Sequence, residues 1–540
     1  MFRIRIFALS VIFTLVQSLA WADDSRPNII VLLADDLRYD ALEFTGHPVM
    51  KTPHLNTLAK NGVFFNRAFV TSSMCTPSRT SILTGQYDGR HGVTFGSKTV
   101  MTEQAFQKTY PAILRENGYL LGWVGKNHTP VGKSGDTYGF GTGVMESYFD
   151  FWYGNHNNMG FYPKERHDVY RDSSHDTQVE IMREAVLGFL EGDPPTVGGA
   201  ATLPGRPDEQ PFVLLINYNV PHFVGTGSMR QRDTDPELYR SVYRDRMEDL
   251  PIPETFVVYD EIVSPRHPPH VYANRYLRGY DFTKSRAALR ERLVRETQTV
   301  SGIDVMVGEI TATLRQLGLA ENTIIIFASD HGIQYGEHGL GGKTLLYEES
   351  MRIPLVIHDP RIPETHRQSQ RSQFALSIDI APTVLELAGL EIPDHMQGRS
   401  LVPLLSHDSE VENLNWRSSI FLESTTIVQG YPAMEAVRTD RFKYIRYFDR
   451  KKQYPLHADA LMASIRGEEP IFEELFDLQN DPQERQNLAS DPDHRKTLLE
   501  LRKHCQELVI AARGDGDLDV HIVPGDRYAE KSFTDWKDWD

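Results

Sequence analysis

Four short apolar runs, rich in β-branched residues, constrain this chain most: Asn28–Leu33, Pro211–Asn217, Thr323–Ala328 and Pro354–His358. Their length and uniform apolarity read as buried parallel strands. Helical patterns lie between them. Glu291–Leu317 is long and amphipathic. Ile378–Leu390 starts near Ser377 and Asp379, which offer caps, and ends near Gly389. Strands alternating with helices imply an α/β sheet with helices on both faces. After about Leu405 the pattern changes. Ser418–Leu422, Ala436–Arg438 and Tyr444–Phe448 look like short antiparallel strands, and a final helix covers about Arg495–Ala512. This reads as a smaller C-terminal α+β subdomain with a short antiparallel sheet.

The expected organisation is a targeting segment over 1–22, a catalytic α/β domain over 23–405 and the subdomain over 406–540. Arg3 and Arg5 precede an apolar stretch over Ile6–Leu19, and Ala20-Trp21-Ala22 gives a small-x-small cleavage site before Asp23. The stretch is short for a bilayer span, so a secreted or periplasmic protein with no membrane anchor is expected. The formal net charge of −17 argues against nucleic acid or an anionic membrane as partner of the general surface. Gly192–Pro211 reads as a surface loop. Gly225–Asn274 reads as a polar insertion near the active-site face, where His267 and His270 could line a pocket.

Chemistry gathers at the strand ends. Asp35-Asp36 follow the first run and Asp330-His331 follow the third. In open α/β sheets ligands bind at the carboxyl ends of strands. Three carboxylates suit a hard divalent cation such as calcium or magnesium, while the imidazole inclines towards zinc or manganese. The two cysteines, Cys75 and Cys505, admit one disulfide, two buried thiols, or a chemical role for Cys75. Pro77 marks a helix start and Gly85 its end, so Cys75 lies at a helix N-terminus, where free amides favour anions. Arg79 lies one turn on.

The run Cys75-Thr76-Pro77-Ser78-Arg79, continuing to Leu83-Thr84-Gly85, resembles the signature of the type I sulfatase family, within the alkaline phosphatase-like superfamily. Further segments match in order. These are Asp35-Asp36, Gly125-Lys126-Asn127-His128, Pro221-His222, Ser329-Asp330-His331-Gly332, and Gly342-Lys343 followed by Tyr347-Glu348-Glu349-Ser350 and Arg352-Ile353-Pro354-Leu355. The tail segments Glu474–Leu478, Asn480-Asp481-Pro482 and Glu484–Ala489 resemble the family's C-terminal subdomain. Two departures stand out: Asn127 where the family commonly has an aromatic residue, and Asp330-His331 where Asp-Asn is frequent. Asp-His occurs in the subset acting on sugar sulfates.

The resemblance implies a large mixed, mostly parallel sheet sandwiched by helices. It implies one metal ion held by Asp35, Asp36, Cys75, Asp330 and His331, with calcium favoured because the ligands are mostly oxygen. It implies oxidation of Cys75 to formylglycine by a formylglycine-generating or other sulfatase-maturing enzyme. A hydroxyl of the hydrated aldehyde then attacks sulfur, and Arg79, Lys126 and Lys343 stabilise the sulfate charge. His222 or Lys343 protonates the leaving alcohol. His128 takes the proton of the second hydroxyl, which expels sulfate and restores the aldehyde. The expected substrate is a sulfated carbohydrate. A phosphatase or phosphonate monoester hydrolase of the same superfamily, and a non-catalytic glycan-binding protein, are the competing readings.

Overall fold

A computed structural model describes residues 26–95, 99–132, 144–197, 201–202, 204–206, 210–258, 261, 284–367, 369–406, 411–412, 414–424, 432–448, 463–513 and 520–522. The expected targeting segment, with Arg3, Arg5 and the Ala20-Trp21-Ala22 site, lies outside the described residues, as do His267 and His270.

Eight strands form the central sheet: β1 (Asn28–Asp35), β2 (Val63–Phe65), β3 (Leu120–Asn127), β4 (Phe151–His156), β5 (Phe212–Pro221), β6 (Thr323–Ser329), β7 (Leu355–His358) and β8 (Ser369–Arg371). Their spatial order is β8-β2-β7-β6-β1-β5-β3-β4. β1 is central and pairs in parallel with both neighbours, Ile30 opposing Ile325 of β6 and Leu214 of β5. Successive side chains enter opposite cores. Ile29, Val31, Leu33, Leu215 and Ile326 face one; Ile30, Leu32, Leu214, Ile216 and Phe327 face the other. This double burial explains the unbroken apolar runs.

Helices cover both faces. They include α1 (Pro53–Lys60), α2 (Cys75–Thr84), α3 (Gln178–Glu191), α4 (Arg286–Gln316) and α5 (Ile380–Leu387); α6 (Arg495–Arg513), later in the chain, packs on the C-terminal sheet instead. Leu55, Met182, Ile303 and Met306 of α1, α3 and α4 fill one core, while Ile82 and Leu83 of α2 and Val384 of α5 fill the other. α4 begins before its amphipathic pattern does, because the Ser285 hydroxyl accepts from the Ala288 N–H at 3.1 Å and caps it. The Pro- and Gly-rich stretch after α3 holds a small hairpin, Thr196–Val197 against Ala201–Thr202.

One strand expectation is corrected. β7 was expected to be parallel, yet it runs antiparallel to β6, with Ile326 opposite Ile357. A parallel return needs a crossover to the far end of the sheet. The residues between Ser329 and Leu355 are instead spent at the carboxyl end, on loops and a small hairpin, Gln334–Tyr335 with Gly341–Gly342. The chain therefore re-enters the sheet from that end. Burial on both faces made the run look the same in either direction. The sheet as a whole is mixed and mostly parallel.

The C-terminal sheet is an antiparallel meander of β9 (Ser419–Ser424), β10 (Ala433–Thr439), β11 (Phe442–Phe448) and β12 (Phe472–Asp477). Its Ile420, Leu422, Met434, Ala436, Ile445 and Phe476 join one of the main cores. The opposite face, with Phe421, Val437 and Leu475, packs on Leu498, Leu501, Cys505 and Val509 of α6. Cys75 and Cys505 are both buried free thiols, so the disulfide alternative does not occur. Among the described residues no helix is long and apolar enough to cross a membrane.

Candidate active site

The parallel register of β1 and β6 sets Ala34 opposite Ser329, which brings the two polar pairs together at the strand ends. The Asp36 N–H donates to Asp330 Oδ1 at 3.1 Å, and the Leu37 N–H donates to Ser329 Oγ at 3.0 Å. Asp36 adopts φ +67°, a region Asp tolerates better than bulkier residues, and the chain turns there out of the sheet. Asp35, Asp36, Asp330 and His331 are fully buried.

Cys75 opens α2 and Gly85 closes it with φ +67°. The Cys75 sulfur lies 3.6 Å from Asp35 Oδ1, 3.3 Å from His331 Nε2 and 3.0 Å from Lys343 Nζ. Lys343 also donates to Asp36 Oδ1 at 2.7 Å. Lys126, at the end of β3, donates to Asp35 Oδ2 at 2.6 Å. Arg79 Nε donates to Asp330 Oδ2 at 2.9 Å. His128 is hydrogen-bonded to Cys75, with the Phe95 ring edge-on to its imidazole. His222 Nε2 is 3.7 Å from Asp36 Oδ2, and its Nδ1 accepts the Val224 N–H at 3.0 Å. All ten residues expected at the site meet at one end of the sheet.

Burial raises the cost of every charge here, and the opposite charges offset it. Burial pushes Asp35 up, but Lys126, His222 and Arg79 together outweigh it and hold the carboxylate well below its ordinary range. Asp330 is pushed up to about 6 by burial and by Asp35, against the pull of His331 and Arg79. Burial also opposes ionisation of Cys75, yet Lys126, Lys343 and His331 draw its thiol well below the usual value. His128 is lowered to about 4 by burial and by Lys126, and so stays a neutral acceptor.

Donor atoms of Asp35, Asp36, Cys75 and His331 lie within 4.8 Å of one another, the spacing of a small cation site. Asp36 Oδ2 is buried and has no hydrogen-bond donor among the described residues, as an oxygen reserved for a cation would be. Burial pulls His331 down, but Asp330 and Cys75 raise it to about 9. Its Nδ1–H donates to the Gly332 carbonyl at 2.9 Å, and a cation at Nε2 would take the place of that nitrogen's proton. Two carboxylates and an imidazole therefore fit a divalent ion. Asp330 stands beside this group, its Oδ1 3.6 Å from His331 Nε2 and its Oδ2 held by Arg79.

Two residues were missed by sequence reasoning. Asn217 Oδ1 accepts from Arg79 Nη1 at 3.1 Å, and Asn219 Nδ2 donates to Asp35 Oδ2 at 2.5 Å. The available signal was a pair of asparagines in an otherwise apolar buried strand, at its carboxyl end and just ahead of Pro221-His222. The described part of the polar insertion lies against the loop after His331: Val257 N–H donates to Gly336 O and His338 N–H to Thr255 O. The tail motif fastens the lysine loop to the C-terminal sheet. Tyr347 donates to Glu474 at 2.9 Å, and Lys443 bridges Glu348 and Glu484 at 2.9 and 2.8 Å.

A family model described as "Sulfatase" matches residues 27–390, and one described as "N-sulphoglucosamine sulphohydrolase, C-terminal" matches residues 336–461. The chain is 26% identical to an N-acetylglucosamine-6-O-sulfatase of Bacteroides thetaiotaomicron, over 88% of this chain and 89% of that one. It is 29% identical to the multifunctional alkaline phosphatase superfamily protein PehA of Trinickia caryophylli, over 87% and 92%. A solved structure in complex with its substrate D-glucosamine-2-N,6-O-disulfate shares the fold, with TM-score 0.66, 22% identity and coverage of 92% and 99%.

Proposed function

We propose that this chain, which belongs to the sulfatase family and is a sulfuric ester hydrolase, is exported and removes sulfate from a sulfated carbohydrate, using formylglycine derived from Cys75 and one calcium ion. The observation that carries this reading is the position of Cys75. It opens a helix, with Asp35, His331, Lys343 and His128 around its sulfur.

Asp35, Asp36 and His331 would hold the cation, with Asp330 beside them and the position-75 side chain completing the set. When present, the ion neutralises sulfate oxygens and the hydrated aldehyde supplies the attacking hydroxyl. The chain's own residues do the rest. Lys126, Lys343 and Arg79 form a buried cationic wall for the sulfate. Lys343 already faces position 75 and Asp36, so His222 is the better proton donor to the leaving oxygen. Its Nδ1 accepts from the Val224 amide, which leaves the proton on Nε2, the nitrogen on the Asp36 side. His128, kept neutral, takes the proton from position 75 when sulfate departs. Cys75 is 1% exposed, so the maturing enzyme must act before the chain folds.

Carbohydrate as substrate is supported by the sugar sulfatase relative and by the C-terminal family match. Export is supported by the basic-apolar-small pattern of residues 1–22. The multifunctional relative favours a second reading, in which phosphate or phosphonate esters are hydrolysed too.

The test is a panel of sulfated mono- and oligosaccharides, read by product mass, beside sulfate, phosphate and phosphonate esters of one phenol. Sulfate release with a formylglycine-bearing peptide at position 75 supports the proposal. Fully active protein with an unmodified thiol there, or turnover of the phosphorus esters alone, overturns it. Activity restored after chelation by zinc and not by calcium would reject the metal assignment.

A further inference from the structure

β1 and β5 lose their regular pairing just before the site. Leu33 opposes Asn217 and Asp35 opposes Pro221, so two steps along β1 span four along β5. The surplus is a bulge at Tyr218, Asn219 and Val220. Bulges re-aim side chains and gather beside active sites. Here the bulge presents Asn219 to Asp35.

Asn219 is fully buried and held from behind: its N–H donates to Gln178 Oε1 at 2.9 Å, and Gln178 Nε2 donates to the Gly160 carbonyl at 3.0 Å. Its amide faces forward, Nδ2 lying 2.5 Å from Asp35 Oδ2. The reverse orientation would set two acceptors against each other, so the donor role is fixed. Asp35 Oδ2 thus receives two donors, Lys126 and Asn219, while Oδ1 is left facing position 75 at 3.6 Å.

We propose that Asn219 is a positioning residue that fixes the rotation of the Asp35 carboxylate, so that Oδ1 alone is offered to the cation. This rests on the reading of Asp35 as a calcium ligand. Lys126 by itself is a poor orienter. Its ammonium is a point charge on a flexible stem, and its charge competes with a cation for the same carboxylate. Asn219 is neutral and rigidly mounted, so it aligns Asp35 without that competition. Groups that hold ligating side chains commonly change metal affinity 10- to 100-fold when removed.

The experiment is calorimetric titration of the matured, chelator-stripped protein with calcium alone. The proteins are the parent, Asn219→Leu and Asn219→Ala, which remove the donor, and Asn219→His, which returns an N–H at similar reach. Loss of calcium affinity by about 10- to 100-fold in Leu and Ala, with recovery in His, is the expected result. In calcium-saturated protein, kcat for an aryl sulfate should fall with KM unchanged. Near-ultraviolet circular dichroism checks folding; if Leu does not fit the pocket, the smaller Ala carries the test. A folded donor-less variant that binds calcium as tightly as the parent overturns the proposal, as does a His variant no better than Ala. A parent that binds no calcium removes the cation reading and this inference with it.

Discussion

At the scale of single residues, the site works by making buried groups depend on one another. His128 has its imidazole kept unprotonated by burial and by Lys126, and it is hydrogen-bonded to Cys75. Replacing it with Ala should lower kcat for sulfate release by about 10²- to 10⁴-fold, the usual weight of a general base, with little effect on substrate affinity. A kcat within twofold of the parent would exclude the role. Away from the site, Glu296 of α4 is pushed up to about 7, chiefly by burial, despite Arg292 and the hydrogen bond from the Tyr335 hydroxyl. Its folded form therefore binds a proton that the unfolded chain has released above the ordinary Glu value. Stability contributed by this residue should fall as pH rises from about 4.5 to about 7 and level off beyond. Glu296→Gln should then be no more stable than the parent near pH 4.5 but more stable near pH 8, as read by melting temperature across pH. A stability gap that does not change with pH would show that Glu296 stays ionised. The sequence exposed the residues whose type announces chemistry, namely Cys75, the two acidic pairs, the lysines and His128. It hid Asn217, Asn219 and Glu296, because their importance comes from which strand or helix faces them.

At the scale of elements, the ends of β1, β6 and β7 were legible because their apolar runs stop at polar residues, whereas β5 runs four residues past its expected end at Asn217, to Pro221. Strand direction was not legible. β7 is as uniformly apolar as its parallel neighbours, and only the loops between Ser329 and Leu355 decide which way it runs. β12 was visible only as a family-like segment, since Phe472-Glu473-Glu474-Leu475 mixes charge into a short run. Its Glu474 is buried to receive the Tyr347 and Tyr447 hydroxyls. One tight element junction is at β3. Gly125 has φ +91° and sits one residue before Lys126; a Cβ there would lie 2.2 Å from the Asn217 carbonyl oxygen. Gly125→Ala must therefore push β3 off β5 and carry Lys126 away from Asp35. We expect a loss of about 2–4 kcal/mol in stability, from overpacking plus backbone strain, and a large fall in kcat. Gly389→Ala is the control. It has φ +73° but open space around it, so it should cost only about 1 kcal/mol and leave activity intact. Thermal unfolding and sulfate release from an aryl sulfate compare the two; equal effects would mean that the crowding at Gly125 is relieved without moving the strand.

At the scale of the whole molecule, the change of pattern after Leu405 reads as a smaller C-terminal subdomain, and the apolar core runs continuously into it. Leu404 and Leu405 lie in the same cluster as Ile420, Leu422 and Ala436 of the C-terminal sheet and as Ile29 and Val31 of β1. The attachment is also ionic. The Glu423 N–H donates to the Thr71 carbonyl, four residues before Cys75, and Glu423 Oε1 accepts the Gly89 N–H just beyond α2. Glu423 thus grips the chain on both sides of α2. Its charge is met by Arg513, the last residue of α6, at 2.8 Å, and Arg513 also pairs with Glu435. All three are nearly inaccessible to water. Glu435 keeps Arg446 as a second partner at 2.6 Å, so removing Arg513 strands Glu423 above all. A buried charge deprived of its partner costs about 3–5 kcal/mol. Arg513→Met should lower the midpoint of urea unfolding by a corresponding amount. Because Glu423 and the shared core tie α6 to α2, far-ultraviolet circular dichroism and tryptophan fluorescence should still report a single coincident transition. An early transition confined to the C-terminal sheet, with the catalytic sheet unfolding at the parent's midpoint, would show instead that the two parts are stable independently and that Glu423 does not couple them.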